Sequence, residues 1–204
     1  MNNTYTLTML LSILSFTLAT VMTPGPNNIM LLSSGLTYGY KKSIPHILGV
    51  IIGFSVMVAA VGLGIGIVFD IFPIMFKILK IIGIAYLLWM AYKIANSSDS
   101  FEAKVNNTKK PFTFIQAALF QWVNPKAWVM AITAISLFTI ANDDILFQVF
   151  VLAGIYLLSG ILSANIWTLG GVFLNKFIKN KKSIKVFNIS MAFLIVFSVI
   201  PFVF

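Results

Sequence analysis

The residues able to do chemistry in this chain sit where an uninterrupted helix is impossible. Thr23-Pro24-Gly25-Pro26-Asn27-Asn28 lies inside a long apolar run, and Asn124-Pro125-Lys126 lies inside another, about half the chain length later. Proline removes an N–H and clashes with the preceding turn, so each stretch should end one helix. It is also welcome at a first helical position, where threonine or asparagine caps well. Thr23-Pro24 and Asn124-Pro125 therefore predict two half-helices that start afresh. A helix N-terminus carries partial positive charge and unpaired N–H donors, which attract an anion. The half-helices ending before each break leave carbonyls around Val21 and Met22, and around Trp122 and Val123, which suit an ammonium. Together the two breaks offer donors for a carboxylate and acceptors for an amino group, a site for a zwitterion. Its candidate residues are Thr23, Pro24, Gly25, Pro26, Asn27, Asn28, Asn124, Pro125 and Lys126. The competing reading is a pair of proline kinks that serve packing alone.

Lys126 sharpens the first reading. It lies about 14 residues from either end of its apolar run, roughly 20 Å of helix in each direction, too far for its ammonium to reach an interface. A charge at that depth is a functional candidate. The alternative is a structural lysine bonded to the carbonyls that the break sets free. Asn27 and Asn28 fit either substrate binding or capping of the break. His46, the single histidine, follows Pro45 at the edge of an apolar run, as a proton relay or as an interfacial residue without a role. Gly35/Gly39 and Gly49/Gly53 have small-xxx-small spacing and predict close helix packing.

The elements that must position these residues follow from composition. The chain has 204 residues, 59% hydrophobic and 9% charged, with mean hydropathy +0.98. Soluble domains carry about 25% charged residues, so this is an all-α integral membrane protein. Six apolar runs, about 7–36, 43–69, 72–94, 112–139, 145–174 and 186–204, each reach the roughly 20 residues a spanning helix needs. Nothing between them is long enough for a soluble domain, and 1–204 is expected to be one transmembrane domain. The N-terminus has no lysine before Lys41, so a secretory signal is not expected and the first span is retained.

There is no arginine, and the net charge of +9 comes from lysine. Lys41, Lys42, Lys93, Lys104, Lys109, Lys110, Lys176, Lys179, Lys181, Lys182 and Lys185 lie on or beside the first, third and fifth connections. The opposite side holds Lys77 and Lys80 with Asp70, Asp143 and Asp144. The lysine bias places the odd connections in the cytoplasm and both termini outside. It reports orientation, not nucleic-acid binding.

Two broken helices, each opening a block of three spans, imply a repeat. Gly53 and Gly154 stand at the same offset as Pro24 and Pro125. Three is odd, so the second block, from about 105 to 204, inserts upside down relative to the first, from about 1 to 100. The result is six spans as a 3+3 inverted repeat with helices 1 and 4 broken, a recurring plan of secondary transporters.

At these residues the chain resembles the LysE/RhtB family of amino-acid exporters. The likeness is carried by TPGPNNIMLLSSGLTYGYKKS, the following GVIIGF, QWVNPKA and GIAYLLWMAYKI, and covers essentially the whole chain. TPGPNNI with LSSGLTYGY is most similar to the branch exporting cysteine and O-acetylserine; homoserine, threonine and neutral amino-acid exporters share much of the pattern. The resemblance implies a bacterial inner-membrane location, three-plus-three pseudo-symmetry and efflux driven by the proton gradient. Its two motifs map onto Pro24, Gly25 and Pro26, and onto Asn124, Pro125 and Lys126. The implied partners are a small amino acid, protons and the bilayer, with no cofactor and with homo-oligomerisation open.

Two other classes, besides a passive channel, compete with this one. A cadmium-exporting relative exists in the same superfamily. Soft metals want thiolates or imidazoles and hard ones carboxylates, but the chain has no cysteine, one histidine and no acid deep in a span. An intramembrane serine hydrolase is suggested only by Gly53-Phe54-Ser55-Val56, and its histidine partner would have to be His46, expected at a membrane edge.

Overall fold

The structure, a computed structural model, describes residues 6–66, 71–96, 111–140, 144–177 and 181–200, and every regular element among them is helical. Helix α1, Leu7–Met22, begins under Thr6, whose hydroxyl accepts from Met9 N at 3.2 Å. It stops at the first proline motif, and α2, Pro26–Tyr38, leaves at 60° to it. Helix α3, Tyr40–Ala60, runs into a wide π turn, Val61–Ile65, where Gly64 takes φ 117°. Then come α4, Pro73–Ala95, and α5, Phe114–Val123, which starts with a reciprocal capping box between Thr113 and Gln116. Helix α6, Pro125–Phe138, follows after the single residue Asn124. Asp144 caps α7, Ile145–Leu174, and α8, Lys181–Val199, closes the series.

The first and fourth apolar runs are thus each divided in two. Among the described residues, Tyr40–Ile65 and Ile145–Leu174 are each long and apolar enough to cross a membrane unaided, and α1 with α2 adds a third if the bent pair counts as one span. The surface is apolar: Ile74, Ile78 and Ile81 on α4 and Phe150, Leu158 and Leu162 on α7 are all exposed. Polar side chains such as Thr17, Ser34, His46, Gln121, Ser159 and Thr168 are buried instead. Such an arrangement suits hydrocarbon outside and hydrogen-bonded polar contacts within.

Glycines set the closest approaches. A Cβ at Gly35 would lie 2.0 Å from the Thr168 carbonyl oxygen, and one at Gly171 would lie 1.9 Å from that of Leu32, so α2 and α7 meet backbone to backbone. Gly49 and Gly53 bring α3 in the same way against Phe114 and Ala118 of α5. Phe54 of α3 meets Tyr156 of α7 edge-on at 5.1 Å, and α4 packs along α8. One glycine reading needs correction. Gly39 packs against nothing among the described residues; it sits at the α2–α3 junction with φ 77°, a conformation that favours glycine. Gly154, at the repeat offset from Gly53, has nothing within 4 Å of an added Cβ among the described residues.

Lys41 and Lys42 are exposed on the first turn of α3, and Lys77 is exposed on α4. Asp70, Asp99, Glu102, Lys104, Lys109, Lys110, Asp143 and Lys179 lie outside the described residues.

Candidate functional site at the two helix breaks

The two breaks meet. The Lys126 ammonium, entering from the first turn of α6, donates to Thr23 O at 2.9 Å, Thr23 Oγ1 at 2.7 Å and Pro24 O at 3.3 Å. All three N–H donors of the ammonium therefore have an acceptor at the other break. Asn27 of α2 and Gln121 of α5 exchange amide hydrogen bonds of 2.7 and 3.2 Å, a further link between the helices at the two breaks. Gln121 is fully buried and spends its other N–H on Ala117 O, so its amide is satisfied.

Local chemistry explains each break. Gly25 precedes a proline, which disfavours helical geometry, and it is fully extended at φ −177°, ψ 178°. Pro26, not Pro24, consequently takes the first helical position, and Gly25, not Thr23, is the N-cap of α2. The expected capping by Thr23 is corrected: its hydroxyl donates back to Thr20 O at 2.7 Å and accepts from Lys126. At the second break the expectation holds. Asn124 caps α6, its side chain accepting from Lys126 N at 3.1 Å ahead of Pro125.

The carbonyls expected to be free for an ammonium are in part already taken. Asn28 Nδ2 clips the end of α1, donating to Val21 O at 2.7 Å and Thr23 O at 2.9 Å. Val21 O also accepts from Ser163 Oγ at 2.8 Å, and Trp122 O from Trp128 Nε1 at 2.9 Å. The two N-termini also differ. Asn124 O accepts from Ala127 N and Trp128 N and its side chain from Lys126 N, which leaves α6 few donors. In α2 the first intrahelical bond runs from Ile29 N to Gly25 O, so the amides of Asn27 and Asn28 have no intrahelical acceptor. Anion-binding capacity is thus concentrated on α2 and Lys126.

Beside these groups is a cavity of about 50 Å³, room for roughly three to five waters. Gly25, Pro26, Asn27, Asn28, Asn124 and Lys126 line it. Thr23, Pro24 and Pro125 do not; the first two serve as acceptors for Lys126, and buried Pro125 comes within 3.0 Å of a Cβ built on Gly83. Thr20, Tyr156, Gly160 and Ser163 also line the cavity and were not anticipated. A signal for them existed, because Tyr156, Ser159 and Ser163 are spaced three and four apart on α7 and form a polar stripe on an otherwise apolar helix.

His46 is enclosed by the protein. It is 1% exposed, and its Nδ1 lies 2.8 Å from Ser34 Oγ across the α2–α3 turn. The hydroxyl it meets is thus that of Ser34, whereas Ser55 Oγ is buried without a hydrogen-bond partner among the described residues. Among the described residues, no three histidine, cysteine or acidic side chains come together as a metal site.

Comparison with known proteins shows the family to which the chain belongs. The LysE type translocator family matches residues 18–203. A cysteine/O-acetylserine efflux protein of Salmonella typhimurium (strain LT2) is 36% identical over 160 residues, covering 77% of this chain and 79% of the relative. The protein of that name from Escherichia coli (strain K12) is 33% identical over 169 residues, covering 80% and 83%. No solved structure matches. The apolar helices and the match over nearly the whole length make this a multi-pass membrane protein, and the chain belongs to the LysE family of translocators.

Proposed function

We propose that the protein exports small zwitterionic amino acids, with cysteine or O-acetylserine as the leading substrates, from the cytoplasm in exchange for protons. The observation that carries this is the junction of Lys126 with the first break beside a small, partly polar cavity. A carboxylate would be held by the amides of Asn27 and Asn28 and by the Lys126 ammonium, which would release its Thr23 and Pro24 acceptors. The amino group would face the hydroxyl oxygens of Thr20 and Tyr156, which line the same cavity. The two hydroxyls are hydrogen-bonded to one another, and a hydroxyl oxygen has two lone pairs, so each can still accept from an ammonium. The names of the relatives support cysteine and O-acetylserine, and the cavity volume favours small side chains over aromatic ones.

The architecture we infer is six spans as a 3+3 inverted repeat in the bacterial inner membrane. The packing supports it: the first break meets the fourth-run break, α3 lies on α7, and α4 lies on α8, so equivalent members of the two blocks pair. With both termini outside, a green fluorescent protein exported after Phe204 by the general secretory route stays dark, and one fused near Lys104 glows. The reverse pattern would overturn the orientation.

Radiolabelled uptake into inverted vesicles tests the substrate. Cysteine, O-acetylserine, homoserine and threonine are the positive panel, phenylalanine the size control and cadmium the metal control. Accumulation of at least one small amino acid, abolished by a protonophore, is the expected result. Cadmium transport without amino-acid transport would replace the proposal with metal efflux.

A further inference from the structure

A second cavity, of about 720 Å³, opens between α2, α4 and α5, and His46 is on its wall. The imidazole is held at one nitrogen only. Nδ1 is paired with Ser34 Oγ at 2.8 Å, and Nε2 is buried with no hydrogen-bond partner among the described residues. Buried polar atoms are almost always satisfied, so an orphaned ring nitrogen beside a cavity calls for an explanation. The Phe112 ring lies 5.4 Å from the imidazole, centroid to centroid, and also lines the cavity.

Proton-driven export needs a group on the pathway that gains and loses a proton. The five acidic residues all fall in the connections. Lys126 spends its three N–H donors on the first break. Histidine is the one side chain whose ordinary titration falls between about pH 5 and 8, and this chain has a single one.

We propose that His46 is the proton-exchange site of the transporter, with Ser34 as its switch and Phe112 as the cover over Nε2. This rests on the proton-coupled export reading above. In the neutral ring, one nitrogen carries the proton and the other accepts. When Phe112 moves aside, cavity water delivers a proton to the bare nitrogen. Both nitrogens then donate, so Ser34 Oγ must accept from Nδ1–H, whichever way that bond ran before. The consequence is transmitted by α2, because Ser34 lies on the helix whose first turn presents Asn27 and Asn28 to the central cavity. The other titratable groups on the His46 cavity are the phenols of Tyr38 and Tyr86; no acid or lysine lines it among the described residues. On its own helix the nearest charges are exposed Lys41 and Lys42, one turn back.

The single histidine makes the test direct. In ring-¹⁵N-histidine protein in nanodiscs, one imidazole should titrate, and saturating O-acetylserine should move its midpoint by about half a pH unit or more. Linkage requires pH to change substrate affinity by the same factor, roughly threefold. An imidazole that does not titrate, or whose midpoint substrate leaves in place, would overturn the proposal. In proteoliposomes, His46→Gln should keep amino-acid counterflow and lose accumulation driven by a pH gradient; wild-type accumulation by this variant would also overturn it. If His46→Gln does not fold, the resonance of the native chain still decides. Absence of counterflow by the native protein across the whole amino-acid panel would bring down the export reading, and this proposal with it. Counterflow with an unresponsive imidazole would remove only the role of His46.

Discussion

Lys126→Met is expected to abolish export while the protein remains inserted and folded. The substitution keeps the length and apolar stem of the side chain and removes the ammonium. Losing one partner of a buried charge pair costs about 2–5 kcal/mol, so binding of a carboxylate should weaken about thirtyfold or more. Stability is set by two opposed terms. Pro24 O loses its Lys126 donor, whereas Thr23 O keeps Asn28 Nδ2 at 2.9 Å. A hydrogen bond to a charged group contributes about 1.5–3 kcal/mol. Placing a lysine in mid-membrane costs about 2.5–3.5 kcal/mol on insertion scales. These are comparable, and the melting temperature in detergent should change little. A purely structural lysine gives the opposite pattern: lower stability, with normal transport by whatever folds. Gly25→Ala is the companion variant. Its extended backbone accepts alanine, but the new methyl would lie 2.9 Å from Lys126 Cδ and 3.0 Å from Nζ. The flexible side chain can yield, so Gly25→Ala should displace the ammonium and weaken export without unfolding the protein. Full transport by Lys126→Met would end the proposal that this lysine binds substrate.

The breaks themselves were legible because proline acts locally. Pro26 and Pro125 interrupt helices wherever they stand, and Asn124 caps from the adjacent position. The apolar runs were legible for the same reason, since hydrocarbon solvates each helix separately. What the sequence could not disclose was the identity of the partners at the breaks. A carbonyl freed near Val21 is foreseeable; its capture by Asn28, seven residues on, and by Ser163, in another helix, depends on tertiary packing. Lys126 was expected at mid-depth, yet its three acceptors lie about a hundred residues away. The enclosure of His46 was not legible, because a residue near the end of an apolar run gives no sign of which neighbouring helix will cover it. The α2–α3 turn at Gly39 does that by folding Ser34 back onto the imidazole.

The contact of α2 with α7 should be the most fragile part of the fold, and it offers a sharp test. At Gly35 an added Cβ would meet Thr168 O at 2.0 Å, and at Gly171 it would meet Leu32 O at 1.9 Å and Leu36 N at 2.8 Å. Carbon and carbonyl oxygen settle at about 3.3–3.6 Å even in close Cα–H···O contacts, and backbone atoms cannot rotate out of the way. Gly35→Ala or Gly171→Ala must therefore push the helices apart by more than an ångström. Overpacking commonly costs about 1–3 kcal/mol, occasionally more, and these two variants should lie at or beyond the upper end. Both should melt markedly earlier in detergent. The double variant should lose less than the sum, because the first methyl already opens the space that the second needs. Export should fall as well, since α2 carries Asn27 and Asn28 into the cavity and α7 carries Ser163. Gly154→Ala is the control, on the same long helix with nothing within 4 Å of the added methyl. It should be neutral or slightly stabilising, as alanine favours helix over glycine by up to about 1 kcal/mol. If Gly35→Ala and Gly171→Ala melt with Gly154→Ala, the two helices do not touch as described, and the cavity they wall together loses its frame.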